Sequence, residues 1–325
     1  MDQTEKQMEF RKVIARINQG KNILLIAHKK PDGDVLGSVC AMDHVLKRVN
    51  KKHQAACVDK PPHNLEFLNC ADKFIHEFDH NDYDLVITLD CGADYMTGYN
   101  EKYADLFKEN KHKIINIDHH PSNEKFGGIN IVDWTSASTT MIILEFLEFA
   151  KFKIDPIIAT SLLTGIYTDT GSFMHSNTNS KVYKAASKLL SYGAQLSIIV
   201  KYAFKSMPVN TLQLWGRVLN TLKINNEGIA MGVATKQDFD ETGTKSEHLT
   251  GLIDLLNSIP DTKFAVLLNE DEKGNVKGSF RTQSDNINLS DIASVFGGGG
   301  HKKAAGFSIP GHLEKEVRWK VVEEQ

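Results

Sequence analysis

The first two-thirds of the chain alternate short apolar runs with helical patterns. Residues 23–27, 85–89 and 114–117 are almost continuously apolar, as expected of strands that are buried on both faces of a parallel sheet. Residues 35–49 and 139–150 have the pattern of helices. This alternation predicts an α/β fold with a doubly wound, mostly parallel sheet.

The stretch between residues 181 and 222 is rich in helical patterns, and Pro208 is expected to break it. Because 325 residues are long for a single domain, we interpret the later part of this stretch as a helical connector between two domains. The predicted organisation is a first domain over 1–200, a connector over 201–225 and a second domain over 226–325.

The last third of the chain predicts a second, smaller α+β domain. From residue 229 the pattern runs strand, helix, strand, hairpin, helix and strand. The hairpin is expected between the runs 264–268 and 276–281, which are joined by a polar turn that contains Gly274. A polar helix over 314–323 is expected to end the domain.

The composition is that of a packed globular protein, with 41% hydrophobic and 24% charged residues. No run of about 18 apolar residues occurs, which predicts that no helix crosses a membrane, and no secretory signal is visible at the N-terminus. The four cysteines form no Cys-x-x-Cys pair and are expected to be reduced thiols. We therefore expect a cytoplasmic protein with no membrane partner.

The formal net charge of −3 bears on the class of substrate. Proteins that coat long nucleic acids usually carry a basic stripe, because neutralising phosphates dominates their affinity. The charge argues against that class. A small phosphorylated substrate stays compatible with it, since bound metal ions reverse the local field of carboxylates.

Four acidic or histidine motifs each come at the end of an apolar run that we interpret as a strand, the fourth following residues 162–167. The carboxyl ends of parallel strands open on the same side of a sheet, where ligands bind. The arrangement therefore places five carboxylates and three imidazoles on one edge. These residues are His28, Asp32, Asp34, Asp90, Asp118, His119, His120 and Asp169.

So many carboxylates would repel one another and raise each other's pKa unless a cation lay between them. Carboxylates with a few imidazoles suit Mn²⁺, Mg²⁺, Co²⁺ or Fe²⁺ better than zinc bound by thiolates. With about six ligands available, two ions are more economical than one. Such pairs hold the attacking and leaving oxygens of a phosphoryl displacement.

Each residue alone also has a structural alternative. A single Asp after a strand is more often a helix cap or turn former than a ligand, and Asp34 precedes a predicted helix. His28 could be an ordinary loop histidine, and the glycines after Asp90 and Asp169 could serve tight turns. The coincidence of four motifs on one sheet edge favours the metal site.

These motifs, in this order, resemble the DHH family of phosphoesterases, whose Asp-His-His triplet stands here at residues 118–120. The resemblance covers essentially the whole chain. It implies two Mn²⁺ ions per active site, with Mg²⁺ or Co²⁺ as substitutes. The implied ligands are His28, Asp32 and Asp90 for one ion and Asp34, Asp90, His119 and Asp169 for the other, so that Asp90 bridges the pair.

The resemblance also implies three catalytic residues. Asp90 would serve both ions, and Asp118 would orient an imidazole rather than bind a metal. His120 would face the substrate phosphate and assist the metals or the leaving group. No ligand position of the family pattern is missing, which disfavours a nucleotide-binding regulator without turnover.

Arg281 and the run Gly298-Gly299-Gly300-His301 resemble the substrate-binding domain associated with this family. Arg281 offers a bidentate fork for phosphate. A glycine run lets backbone N–H groups approach a phosphate closely, and His301 can hydrogen-bond an anion or stack on a base. The alternative is a flexible linker, which the apolar residues on both sides disfavour.

Within the family the chain resembles the compact nanoRNase and pAp phosphatase group. That implies hydrolysis of short oligoribonucleotides or dinucleotides to 5′-mononucleotides, and of adenosine 3′,5′-bisphosphate (pAp) to AMP. We expect a substrate to contact both domains, so rates should fall as oligonucleotides lengthen. A cyclic dinucleotide such as c-di-AMP stays open as an alternative substrate. The second domain disfavours pyrophosphate and polyphosphate, and a homodimer is one open alternative for the oligomeric state.

Overall fold

The computed structural model describes residues 2–204 and 207–314. The chain divides into two compact units, residues 1–206 and residues 207–325. Each unit has its own sheet and its own hydrophobic clusters. The domain that is predicted to carry the four motifs corresponds to the first unit.

The first unit contains a five-stranded sheet in which all strands are parallel. The strand order is β2-β1-β3-β4-β5, and this order confirms the predicted doubly wound sheet. The strands are β1 Asn22–Ile26, β2 Lys52–Ala56, β3 Leu85–Leu89, β4 Ile114–Asp118 and β5 Ile129–Val132.

Helices cover both faces of this sheet. In β1, Ile23 and Leu25 belong to the larger cluster, whereas Leu24 and Ile26 belong to the opposite cluster together with Phe107. None of the described helices is long and apolar enough to cross a membrane. The helices of this unit are α1 Gln3–Gln19, α2 Gly33–Arg48, α3 Ala104–Lys108, α4 Thr139–Phe149, α5 Pro156–Asp169, α6 Ser180–Ser191 and α7 Leu196–Phe204.

The interpretation of residues 162–167 as a strand is wrong, because they lie inside helix α5. The Asp155 carboxylate caps this helix by accepting from the N–H groups of Ile157 and Ile158. Pro156 takes the first position, where its fixed φ favours a helix start. A buried apolar run cannot be assigned to strand or helix by periodicity alone. Here the helix cap formed by Asp155 and Pro156 identifies the run as part of a helix.

Helices α2 and α5 approach closely because glycines lie between them. A Cβ atom at Gly37 would be 2.4 Å from the carbonyl oxygen of Ser161. A Cβ atom at Gly165 would be 2.5 Å from Oδ1 of Asp34 and 2.4 Å from Oγ1 of Thr140. The two glycines therefore allow the start of α2 and the end of α5 to share one site.

The prediction of four reduced thiols is wrong for two of the cysteines. Cys40 of α2 and Cys70, in the segment between β2 and β3, form a disulfide across a sequence separation of 30. The fold brings their Cα atoms to 5.2 Å, which is a proximity that sequence spacing does not reveal. Cys57 and Cys91 are free and buried.

The second unit is an α+β domain with a six-stranded sheet in the order β10-β11-β9-β8-β7-β6. Only β7 and β8 pair in parallel among its described strands. The strands are β6 Lys223–Ile224, β7 Ile229–Ala234, β8 Phe264–Glu270, β9 Asn275–Arg281, β10 Gly299–His301 and β11 Ala304–Pro310.

The predicted hairpin is confirmed, since β8 and β9 are antiparallel and Gly274 lies in their turn with φ of 77°. Pro208 directly precedes the first helix of this unit, as expected of a break. The predicted helix over 314–323 lies outside the described residues apart from its first position. The helices here are α8 Val209–Asn220, α9 Lys236–Thr242, α10 Leu252–Leu256 and α11 Leu289–Ser294.

Candidate metal centre

The first motif follows β1 and leads into helix α2. Asp32 caps α2, with Oδ1 accepting from the N–H groups of Asp34 and Val35 at 3.0 and 3.1 Å. The N-cap of α2 is therefore Asp32, and the alternative in which Asp34 caps this helix is wrong. The Nδ1 atom of His28 lies 2.8 Å from the carbonyl oxygen of Lys29, which leaves Nε2 of His28 to face the carboxylates.

Asp34 is fully buried at the start of α2 and is held by the start of α4. Its two oxygens accept from the N–H groups of Thr139 and Thr140 at 2.6 and 3.0 Å. The hydroxyl of Thr140 donates to Oδ1 of Asp34 at 2.8 Å. The N-terminus of a helix favours negative charge, so the start of α4 orients this carboxylate and offsets part of the cost of burying it.

Asp90 directly follows β3 and adopts a left-handed backbone conformation with φ of 58°. Its Oδ1 accepts from the hydroxyl of Thr139 at 2.8 Å and lies 3.6 Å from Nε2 of His119. Its Oδ2 lies 3.6 Å from Nε2 of His28. The two oxygens of Asp90 therefore face two different imidazoles.

Asp169 reaches the site from the C-terminal end of helix α5. The expectation that it follows a strand is therefore wrong, although its proximity to the other motifs is as expected. Its Oδ2 lies 3.4 Å from Nε2 of His119, and the same nitrogen is 3.9 Å from Oδ2 of Asp34. The Nδ1 atom of His119 lies 3.4 Å from the carbonyl oxygen of Ser136.

Potential ligand atoms in this region form two main groups, and the ligand atoms of each group lie within 4.8 Å of one another. In an octahedral shell around a hard cation, neighbouring ligand atoms lie about 3 Å apart, so both groups need only a small contraction. The residue types and their spacing in each group therefore fit a hard divalent cation. One group contains His28, Asp32 and Asp90, and the other contains Asp34, His119 and Asp169.

The charges of the site also fit cations. Burial, with the carboxylates of Asp90 and Asp32, raises the pKa of Asp34 well above its usual range. Burial, with Asp34 and Asp90, does the same to the pKa of Asp169. Burial opposes the charged form of His28, but the nearby Asp32 and Asp90 raise its pKa to about 11. Bound cations would replace these protons and remove the repulsion.

His120 differs from His119 in its partner. Its Nδ1 lies 2.8 Å from Oδ1 of Asp118, whose Oδ2 accepts from the side-chain amide of Asn123 at 2.7 Å. The hydrogen bond to Asp118 raises the pKa of His120 to about 9. Asp118 is fully buried, and its contact with Nδ1 fixes the orientation of the His120 ring.

A third group of potential ligand atoms joins Asp90, His119 and His120. The Nδ1 atom of His120 is 3.7 Å from Oδ1 of Asp90, so distance alone does not separate His120 from the ligands. Its hydrogen bond to Asp118 engages only Nδ1, and a carboxylate commonly engages the second nitrogen of a metal-bound histidine in the same way. The other nitrogen, Nε2, is the atom available to a metal or to a substrate.

Two residues that hold the carboxylates in place, Thr139 and Thr140, are missing from the sequence-based site. Their signal is visible, since Ser138 and the two threonines form a hydroxyl-rich start to a predicted helix. The sequence shows that such a start binds an acceptor. It does not show that the acceptors are Asp34 and Asp90, which lie 105 and 49 residues away from their partners.

Arg281 and His301 lie in the second unit on one face of its sheet. Each pairs directly with Ala304, Arg281 from β9 and His301 from β10, and paired residues share a face. The Arg281 guanidinium donates to Asp254 at 3.2 Å and to the carbonyl oxygen of Phe280 at 3.0 Å. The His301 side chain is exposed.

The glycine run is ordered rather than a flexible linker, since Gly299 begins strand β10. A Cβ atom at Gly298 would lie 2.1 Å from the carbonyl oxygen of Gly306. Gly300 has φ of 141°, and a Cβ atom there would lie 2.6 Å from the carbonyl oxygen of Ala304. Gly298 and Gly300 are therefore required by backbone packing, whereas space is open at Gly299.

Known proteins resemble this chain in sequence across both units. Residues 22–166 match the DHH family, N-terminal domain, and residues 226–324 match the DHHA1 domain. The chain is 30% identical over 290 residues to the bifunctional oligoribonuclease and PAP phosphatase NrnA of Thermus thermophilus. The aligned residues cover 89% of this chain and 84% of that protein. It is 27% identical to the Bacillus subtilis protein of the same name, over 91% of this chain and 92% of that protein.

A solved structure shows the same fold. The exopolyphosphatase-related protein from Bacteroides fragilis superimposes with a TM-score of 0.85 at 23% identity, over 94% of this chain and 92% of that chain. Sequence and structure thus agree along nearly the whole length. The chain belongs to the DHH family of phosphoesterases.

Proposed function

We propose that this protein uses divalent cations to hydrolyse short oligoribonucleotides and dinucleotides to 5′-mononucleotides, and pAp to AMP. The observation that carries the proposal is the position of Asp90. Its Oδ2 lies 3.6 Å from Nε2 of His28, in one group of potential ligands, and its Oδ1 lies 3.6 Å from Nε2 of His119, in the other. The relatives named as oligoribonuclease and PAP phosphatase supply the substrate class.

The proposed cofactor is a pair of Mn²⁺ ions, with Mg²⁺ or Co²⁺ as substitutes. When bound, such ions neutralise phosphoryl oxygens and make water a better nucleophile. Carboxylate and imidazole ligands without thiolate support a hard or borderline cation. The proposed ligand residues are His28, Asp32, Asp34, Asp90, His119 and Asp169.

His120 is proposed to act on the substrate rather than on a metal. Asp118 holds its Nδ1 side, so Nε2 can donate a hydrogen bond to a phosphoryl oxygen or to the leaving oxygen. A donor fixed by a buried carboxylate needs no reorientation during the reaction. This preorganisation favours the transition state, in which negative charge on the phosphoryl group is redistributed.

Arg281, Gly298, Gly299, Gly300 and His301 are proposed to bind the part of the substrate that does not react. The guanidinium and the imidazole share one face of the second sheet, which supports a common ligand. The open space at Gly299 supports close approach of a phosphate to the backbone. Because Asp254 already pairs with Arg281, substrate would have to compete with that carboxylate.

A substrate panel tests the proposal. With Mn²⁺ present, we expect turnover of an RNA dinucleotide and of pAp, and little turnover of c-di-AMP or pyrophosphate. In a series from dinucleotide to twenty-mer at fixed salt, kcat/KM should fall steeply beyond about five nucleotides, since the net charge of −3 gives no basic surplus for a long strand. A preference for c-di-AMP or pyrophosphate would contradict the proposed substrate class. Equal kcat/KM across the series would contradict the proposed preference for short oligonucleotides.

Arg281→Ala should raise KM for the dinucleotide roughly tenfold to a hundredfold, because a charged hydrogen bond to phosphate is lost. A fall in kcat as well would indicate that the contact strengthens in the transition state. Arg217→Ala is the matched control, since it removes the same charge from α8 of the same unit. Equal KM in the Arg281 variant and wild type would exclude Arg281 from substrate binding.

The location and assembly of the protein are also proposals. A cytoplasmic location stays a proposal, and the Cys40–Cys70 disulfide does not support it, since disulfides are rare in that compartment. A homodimer stays a prediction, and the proposed chemistry does not depend on it because all six proposed metal ligands come from one chain.

A further inference from the structure

Exposed aromatic rings of the first unit lie on segments next to the metal centre. Among its described side chains, three aromatic residues have more than half of their surface exposed: Tyr95 at 54%, Trp134 at 61% and Tyr183 at 56%. Tyr95 follows Asp90 by five residues. Tyr183 contacts Phe173, in the segment just after α5, with ring centroids 5.7 Å apart. Exposed rings beside a polar site indicate a ligand with both a charged and a flat apolar part.

Trp134 is linked to a proposed metal ligand through a single turn. It lies at the outer corner of a turn that follows β5, in which the N–H of Ser136 donates to the carbonyl oxygen of Asp133 at 3.0 Å. The carbonyl oxygen of Ser136 lies 3.4 Å from Nδ1 of His119. The same turn therefore supports the exposed indole and orients the imidazole.

Buried charged side chains hold this turn in place. The Asp133 carboxylate accepts from the N–H and hydroxyl groups of Thr135 at 3.1 and 2.7 Å and pairs with the ammonium group of Lys6. Lys6 is 4% exposed and also pairs with Glu145 of α4 at 2.7 Å. These contacts hold the backbone next to Trp134 in place, while the Trp134 side chain stays exposed to solvent.

We propose that Trp134 is a stacking platform for the nucleobase of the nucleotide whose phosphate occupies the metal centre. The inference deepens the proposed function and rests on it for the identity of the substrate. A metal centre recognises only phosphate and does not distinguish a nucleotide from another phosphate ester. An indole carried by the turn that contacts His119 would add recognition of the base, and every base offers a flat face, so short RNA of any sequence would be accepted.

Direct binding tests this role without relying on turnover. The probes are AMP and ribose 5-phosphate, which differ only in the base, and their affinities are measured by calorimetry on Mn²⁺-loaded full-length protein. Trp134→Ala should weaken AMP binding about 5- to 150-fold and leave ribose 5-phosphate binding unchanged. Trp134→Phe should retain most of the affinity for AMP.

Two further variants make the result decisive. Met8→Ala removes another exposed large apolar side chain, on α1, and should bind both probes like wild type. Trp134→Leu keeps apolar volume without a π-face and should lose AMP affinity even if Trp134→Ala is poorly folded. Wild-type AMP affinity in the Ala and Leu variants, or an equal loss for both probes, would overturn the inference.

The outcomes also separate this inference from the proposed function. If the protein hydrolyses none of the panel but Trp134→Ala loses selectivity for AMP over ribose 5-phosphate, the proposed reaction fails and the base platform stands. If the protein hydrolyses the dinucleotide but the variants at Trp134 bind AMP normally, the reaction stands and the platform fails.

Discussion

Replacing Asp90 by Asn is expected to lower kcat/KM for an RNA dinucleotide by at least about a thousandfold, because both cations lose a charged ligand at once. The amide keeps the size of the carboxylate and still accepts the hydrogen bond from Thr139. The fold should therefore survive. Without metal, the Tm should stay the same or rise, since Asp90 is one of the charges that raise the pKa values of Asp34 and Asp169.

The expected rise of Tm on adding Mn²⁺ should shrink in Asp90→Asn, because ligands that bind only the folded state stabilise it. Asp94→Asn is the matched control, four residues further along the same segment and outside the three groups of potential ligands. It should keep its activity and its Mn²⁺-dependent stabilisation. Full activity of Asp90→Asn under excess Mn²⁺ would show that Asp90 does not bridge.

His119→Ala and His120→Ala are expected to fail in different ways. His119→Ala should weaken Mn²⁺ binding, because its Nε2 faces three carboxylates at 3.4 to 3.9 Å. His120→Ala should keep metal affinity and lower kcat about a hundredfold or more, as expected when one preorganised donor to the transition state is removed. Calorimetric titration with Mn²⁺, followed by kinetics at saturating Mn²⁺, separates the two effects.

Asp118→Asn provides a check on the role of His120. The amide has the same shape as the carboxylate, but it lacks the negative charge that orients the His120 imidazole and raises its pKa. We expect it to resemble His120→Ala in rate and to keep metal affinity. Equal loss of Mn²⁺ affinity in the His119 and His120 variants would place His120 among the metal ligands.

Much of the site follows from sequence because of one property of parallel sheets. Their carboxyl ends meet at one edge, so the motifs after β1, β3 and β4 had to converge. The residue types then indicated the ligand, since the carboxylates of Asp32, Asp34 and Asp90 are unfavourable together without a cation. The two-sheet organisation followed equally from the change in pattern near residue 229.

What could not be predicted depends on contacts between distant segments. Asp169 comes from a helix that packs on α2 through Gly37 and Gly165, and no periodicity reveals that packing. The start of α4 serves carboxylates far away in the chain, and Cys40 meets Cys70 across a loop. In each case the residue type was informative, but its partner was set by the tertiary fold.

The central claim is tested most directly by restoring metal to metal-stripped protein while hydrolysis of an RNA dinucleotide is followed. Mn²⁺ is added in steps below and above the protein concentration, and mononucleotide release is measured after each step. The account predicts no release without a divalent cation and a rate that saturates at two equivalents per chain. Unchanged release in the presence of a chelator, or saturation at one equivalent, would contradict it.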